Sequence, residues 1–167
     1  MPTVHLICGQ TGAGKTTYAR AFAAKNNIVR FSLDEWFSNL FIADLPEEIS
    51  FEWNIDRIQR CQLQIRQTAE QILACGHDVV MDMSFDTREQ RDRYRTWAIN
   101  LEMDSRLHYV KADPAIRWQR TQQRNRDRNE VFVFEVTKPI FDFMEQRFEE
   151  PGPDEQPMEV TSDALTD

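Results

Sequence analysis

The chain has 167 residues, with 28 Asp and Glu against 20 Lys and Arg, and three cysteines. That is the length of one domain able to bury most of its apolar surface, and its net charge of −8 argues against a broad polyanion-binding face, so nucleic acid is not an expected partner. No apolar run approaches a membrane span, no secretory pattern opens the chain, and an odd cysteine count without metal-ligand spacing points to reduced core thiols in a cytoplasmic protein.

The first element, Val4-His5-Leu6-Ile7-Cys8, is an apolar, β-rich run that leads into Gly9-Gln10-Thr11-Gly12-Ala13-Gly14-Lys15-Thr16-Thr17 and then an Ala-rich helix. Strand, glycine-rich loop and helix in that order are the context in which G-x-x-x-x-G-K-[ST] holds a polyphosphate. The glycines let backbone N–H groups turn inward, and the helix start adds its positive dipole end. Lys15 reaches the β- and γ-phosphates, Thr16 can ligate a bridging Mg²⁺, and Thr17 is placed for an α-phosphate contact.

A second strand, Ile28–Ser32, ends in Leu33-Asp34-Glu35-Trp36-Phe37. Asp34 there is either a helix cap or a catalytic acid, and its place beside the phosphate loop favours chemistry. The aromatic residues between Trp36 and Trp53 are expected to pack mostly as core, with a minority lining an acceptor pocket. A long helix runs from about Trp53 to Ala74, with Ile58, Cys61, Ile65, Ala69 and Ile72 inward and Arg57, Arg60, Arg66 and Glu70 on a solvated side.

The third strand, His77–Asp82, is an apolar run ending in an acid, the pattern of a Walker B element, which makes Asp82 the partner of a Mg²⁺ on Thr16. A helix follows, with Asp86 as its expected cap and Glu89 answering it; Tyr94, Trp97, Ala98 and Leu101 form its buried stripe, and Arg88, Arg91 and Arg95 share another face, as ion pairs or substrate contacts. The fourth strand is Arg106–Lys111, and Asp113-Pro114 opens a helix with Arg117, Arg120 and Arg124, followed by Arg126 and Arg128. Arginines at that density suit a lid over transferring phosphates. A last helix starts at Thr137 and Pro139, with Ile140, Phe141, Met144 and Phe148 inward. Met158–Thr161 can add an edge strand. The three histidines are assigned no function.

From Glu149 to Asp167 there are seven acidic residues and no basic one, which leaves 21 acidic against 20 basic in residues 1 to 148. The expected division is a domain over 1–150 and an acidic C-terminal tail over 151–167.

On the phosphate loop, Phe31-Ser32-Leu33-Asp34-Glu35-Trp36, Val79-Val80-Met81-Asp82, Thr87-Arg88-Glu89-Gln90-Arg91 and Arg120 to Arg128, the sequence resembles the P-loop kinases of the AAA-type group related to polynucleotide 5′-kinases, zeta toxins and chloramphenicol phosphotransferase. The resemblance implies a general base at Asp34 and lid arginines at Arg120 and Arg124, with Arg126 beside them. It shows no second helical domain of the kind that AAA+ ATPases carry. The expected fold is a three-layer α/β/α sandwich around a parallel sheet ordered 2-3-1-4, with a possible fifth strand. The expected activity is transfer of the γ-phosphate of ATP, with Mg²⁺, to a hydroxyl of an unidentified small-molecule acceptor. A nucleotide-binding switch using the Trp36–Trp53 segment as a partner surface, and a zeta-like toxin kinase, are the alternatives.

Overall fold

A sheet whose central strands are buried on both faces builds the molecule in three layers. The computed structural model describes residues 1–46, 48, 50–127 and 135–162. Strands β1 (Thr3–Cys8), β2 (Val29–Ser32), β3 (Val79–Asp82), β4 (Asp104–Lys111) and β5 (Met158–Thr161) form one parallel sheet in the order β2-β3-β1-β4-β5, the expected order with the fifth strand on the edge beyond β4. On one face Val4, Leu6, Cys8, Val79, Met81, Leu107 and Tyr109 pack against α3 (Phe51–Ala74) and α4 (Arg88–Asn100). On the other, Ile7, Val80 and Val110 meet Ala19 and Ala23 of α1 (Lys15–Asn26). Because both faces are covered, β1 and β3 are buried along their whole length. Among the described residues no helix is long and apolar enough to cross a membrane.

Several local expectations are corrected. The cap of α4 is Thr87, not Asp86: its hydroxyl accepts from the Gln90 N–H at 3.3 Å, and the Gln90 side chain accepts from the N–H groups of Thr87 and Asp86 at 3.1 and 2.9 Å. Arg91 does not lie on an outer face with Arg88 and Arg95. Three and seven residues ahead of Tyr94 and Ala98, it points inward with them and is wholly buried. Cys75 is exposed at the end of α3, whereas Cys8 and Cys61 are core residues.

The described part of the segment after Pro151, residues 152–162, is built into the fold. Glu155, in a short 3₁₀ turn (Pro153–Glu155), accepts two hydrogen bonds from Arg91, Nε at 2.7 Å and Nη2 at 3.0 Å, with both side chains at zero exposure. The remaining Arg91 donors reach the carbonyls of Glu149 and Phe85. Arg88 pairs with Asp154 and Asp92, and Arg95 with Asp92, so these three arginines are ion-pair residues.

The aromatic segment is less buried than expected. None of α2 (Leu33–Phe41) is fully buried, because this amphipathic helix has only α3 and the sheet margin to pack on. Phe37, Phe41 and Trp53 form an edge-to-face cluster with the Arg57 guanidinium 3.8 Å from the Trp53 ring. Leu40 and Phe51 stay open to solvent. Between α2 and α3 lies a groove of about 330 Å³ lined by Trp36, Leu40, Phe41 and Leu63 among others.

Two histidines form a buried chain on the α1 side of the sheet. His5 Nε2 lies 3.5 Å from Asp78, His5 Nδ1 lies 2.9 Å from His108 Nε2, and His108 Nδ1 lies 2.8 Å from the Tyr18 hydroxyl. One assignment satisfies every link: Tyr18 donates to His108, His108 donates to His5, and His5 donates to Asp78, with both rings neutral. Burial lowers both imidazole pKa values, that of His108 to about 4.

Two expectations follow. Glu155→Gln strands the buried Arg91 charge and should cost roughly 3–5 kcal/mol in urea unfolding. For the histidines, the folded pKa lies below the unfolded value, so the unfolded chain binds more protons on acidification. Stability should therefore be flat above the unfolded histidine value and fall, by about 1.4 kcal/mol per pH unit from His108 alone, as pH drops from about 6.5 towards 4. Urea midpoints measured across that window should fall less steeply in His108→Asn than in the parent.

Candidate active site

All the sequence-predicted site residues that are described, other than the lid arginines, stand at the carboxyl ends of β1, β2 and β3, where a parallel sheet opens its ligand crevice. The loop from Gly9 to Gly14 is shaped by its neighbours as much as by its own sequence. Gly9, at φ +151°, has no room for a Cβ, which would meet the Val110 carbonyl oxygen at 2.3 Å; a Cβ on Gly12, at φ +77°, would meet the Arg117 carbonyl oxygen at 2.3 Å. Helix α1 begins with no side-chain cap and no acid in its first turn, so its N–H groups and dipole are open to an anion. Lys15 Nζ donates to the carbonyls of Gly9 and Gln10 at 2.7 and 3.1 Å, which holds the ammonium across the loop.

Asp34 is the second residue of α2. The cap is Ser32, whose hydroxyl accepts from the Glu35 N–H, so the Asp34 carboxyl is not used in capping. Glu35 is instead tied to Arg20 and Arg30. Asp34 remains open to solvent although protein surrounds it closely, the situation of a group on the floor of a cleft. Desolvation raises its pKa, and the charges of Lys15 and Arg124 oppose the rise. Among the described residues no side chain donates a hydrogen bond to it.

Asp82 ends β3 and is 7 % exposed. Burial raises its pKa, against nearby Arg30 and Lys15 and a hydrogen bond from Thr16. Its Oδ2 is buried with no hydrogen-bond partner, 3.6 Å from an equally unpartnered Arg30 Nε. An orphaned carboxylate oxygen beside the Thr16 hydroxyl is a donor set that suits Mg²⁺, which takes few protein oxygens and completes its shell with phosphate and water. Among the described residues no cluster of three or more His, Cys, Asp or Glu side chains could hold an ion alone.

The arginines of α5 (Pro114–Asp127) separate into distinct roles. Arg117 is buried and fixed. It is bidentate to Glu145 of α6 (Lys138–Arg147) at 2.5 and 2.6 Å and also donates to the carbonyls of Ala112 and Thr11. It braces the phosphate loop rather than moving as a lid. Arg120 reaches the hydroxyl and carbonyl of Ser162 at 3.0 and 2.8 Å, and Ser162 donates to the Ala13 carbonyl. Arg124 faces Asp34; its Nε is buried without a partner, and desolvation lowers its pKa. Arg126 bonds Gln123, and Arg128 lies outside the described residues.

Sequence reasoning missed Asp86. Thr87 and Gln90 supply the capping box, so the Asp86 carboxyl is spare, and the Thr-x-x-Gln spacing was the available signal. Burial raises its pKa, and the charges around it are those of Lys15, Arg147, Asp34 and Arg91. Three carboxyls thus approach one lysine.

The profile of the AAA domain family matches residues 4–151. The chain belongs to that family. Among curated protein sequences none matches the chain. The structure is similar to a Chloroflexus aurantiacus protein provisionally assigned as a kinase (18 % identity, TM-score 0.74, covering 98 % of this chain and 90 % of that one). It is also similar to Chaetomium thermophilum Kti12 in complex with ADP-AlF3 (17 %, 0.69, 96 % and 89 %). A third similar structure is the Mycobacterium tuberculosis APS kinase CysC with AMPPNP and APS (16 %, 0.60, 97 % and 89 %). This member of the AAA domain family therefore has the P-loop kinase fold.

Because the Arg117 carbonyl occupies the space a side chain at Gly12 would need, and φ there is left-handed, Gly12→Ala should displace the loop from α5. The expected result is a melting temperature several degrees lower, corresponding to roughly 1–3 kcal/mol, read by calorimetry.

Proposed function

We propose that the protein is a phosphotransferase that moves the γ-phosphate of ATP to a hydroxyl of a small-molecule acceptor. The observation that carries this reading is the meeting of an open phosphate loop with two charged groups that the described protein leaves unpaired, Asp34 and Arg124. Arg124 Nε is buried without a hydrogen-bond partner, with the Asp34 charge near it, and a ligand that accepts from it would meet that cost. The fold shared with an APS kinase and the match to the AAA domain family support the same reading.

In this reading the loop N–H groups and Lys15 hold the β- and γ-phosphates. Thr16 and Asp82 would hold Mg²⁺, which supplies charge neutralisation on the phosphate oxygens. Asp34 accepts the proton of the attacking hydroxyl. Burial raises its pKa, which makes it a better base than an ordinary carboxylate, and the charges of Lys15 and Arg124 oppose the rise. Arg124 meets the charge that develops as the phosphoryl group passes, and Arg120, held beside Gly14, flanks the loop on the other side. A nucleotide switch is the second reading, favoured by the solvent-facing Leu40, Ile42, Leu45 and Phe51 on and beyond α2.

Asp34→Asn should leave the affinity for a nonhydrolysable ATP analogue nearly unchanged and lower acceptor-dependent ADP release by roughly a hundredfold or more, as for a lost general base. Lys15→Ala should fold normally and lose the rise in melting temperature that Mg-ATP gives the parent. Full transfer by Asp34→Asn would make Asp34 an ordinary helix residue and put the switch ahead.

A further inference from the structure

The phosphotransfer reading uses Asp34 and leaves Asp86 without a task, although Asp86 is held as firmly as any residue in the site. Its N–H is fixed by the Gln90 side chain and its carbonyl accepts from the Glu149 N–H at 2.8 Å. Phe85 before it is buried against Tyr94, and Thr87 after it caps α4. A backbone pinned on both sides presents a carboxyl to which, among the described residues, no side chain donates. Its charged neighbours are Lys15, Arg147, Asp34 and Arg91; the last is committed to Glu155, and Arg147 lies with its guanidinium over the Phe143 ring.

The unpaired acids are not isolated surface charges. Beside them Asp82 Oδ2, ion-paired with Arg30 at 3.6 Å, and Arg124 Nε are both buried without a hydrogen-bond partner, two polar atoms that a ligand would satisfy independently of Asp34 and Asp86. Asp82 and Arg124 look to the metal and phosphate side. What remains for the acceptor is a pair of carboxyls, and an ionised carboxylate can only accept hydrogen bonds.

On the phosphotransfer reading, we infer that Asp34 and Asp86 together select the acceptor, as a neutral or cationic compound with at least two nearby donor groups: a polyol or an amino polyol. One hydroxyl attacks. Its oxygen forms the new bond to the γ-phosphorus, the bond from that phosphorus to the β–γ bridging oxygen breaks, the hydroxyl proton passes to Asp34, and ADP leaves with the bond electrons. The second hydroxyl, or an ammonium, donates to Asp86 and fixes which hydroxyl faces the phosphate. A single-hydroxyl compound leaves Asp86 unmatched as the site fills, and a site built to bind a hydroxyl discriminates strongly against the analogue without it. An anionic acceptor would bring a like charge against three carboxyls.

The test uses the full chain with Mg-ATP and three sets of probes: glycerol, xylitol, myo-inositol and glucosamine; 1-propanol and cyclohexanol; gluconate and glycerate. Acceptor-stimulated ADP release is measured in the parent and in Asp86→Asn, with the Kd of a nonhydrolysable ATP analogue alongside. The inference expects stimulation by the first set at least tenfold above the other two. It also expects Asp86→Asn to raise the acceptor KM at least tenfold without weakening nucleotide binding, since removing a negative charge near Lys15 does not disfavour phosphate. General damage to the fold would weaken both. Preference for the acids or the single alcohols, or an unchanged acceptor KM in Asp86→Asn, overturns the inference. So does an absence of stimulation by every probe while nucleotide binding and Lys15-dependent hydrolysis persist, a result that leaves the phosphotransfer reading standing. Failure of the parent to bind Mg-ATP removes that reading and this inference together.

Discussion

The geometry of the nucleotide loop depends on Arg117. Its carbonyl oxygen stands where a side chain at position 12 would be, so the loop lies flat against α5 only because that position is glycine. Its guanidinium bonds the Thr11 carbonyl and spans to Glu145, which in turn accepts from Gln10 at 3.3 Å. A phosphate loop binds by presenting backbone N–H groups in a fixed array, and an array is only as rigid as what stands behind it. Here that support is a buried ion pair between two helices that come late in the chain. Its desolvation is offset by bidentate geometry and by further bonds to backbone carbonyls.

The second buried ion pair, Arg91 with Glu155, does for the other side what Arg117 does for the loop. It anchors the turn that leads into β5 against the start of α4, a few residues from Asp86. The acids of the site are therefore not carried on free loops. Asp82 closes a buried strand, Asp34 rides the first turn of α2, and Asp86 precedes a doubly capped helix. Rigid placement keeps the acids close to one lysine without letting them relax apart; burial raises all three of their pKa values, and the charge of Asp34 adds to the rise at Asp82 and Asp86.

Features that depend on residues near each other in the chain were legible in the sequence. The loop from Gly9 to Thr16, the acids ending β2 and β3, the sheet order and most helix limits follow from local pattern and from the rule that parallel crossovers are right-handed. What was not legible depends on partners far away. Arg91 read as an outer ion-pair or substrate-contact residue and Arg117 as a lid arginine, because the acids that pay for their burial lie 64 and 28 positions later. The pairing of His5 with His108, 103 positions apart, was hidden for the same reason. Asp86 failed differently, since Asp86 and Thr87 both make good caps and only geometry chose between them.

The hydroxyl of Ser162 bonds the Ala13 carbonyl across 149 positions, and Arg120 donates to Ser162. The loop is thus made long before the residues that support it. During synthesis β1 emerges with neither of its neighbours, β3 and β4, and the loop after it waits for residues 117, 145 and 162 before its carbonyls are all engaged. Contacts of such long separation are slow to form. The finished shape of the loop should consequently appear in a single late step, when β5 docks, and not grow gradually with chain length.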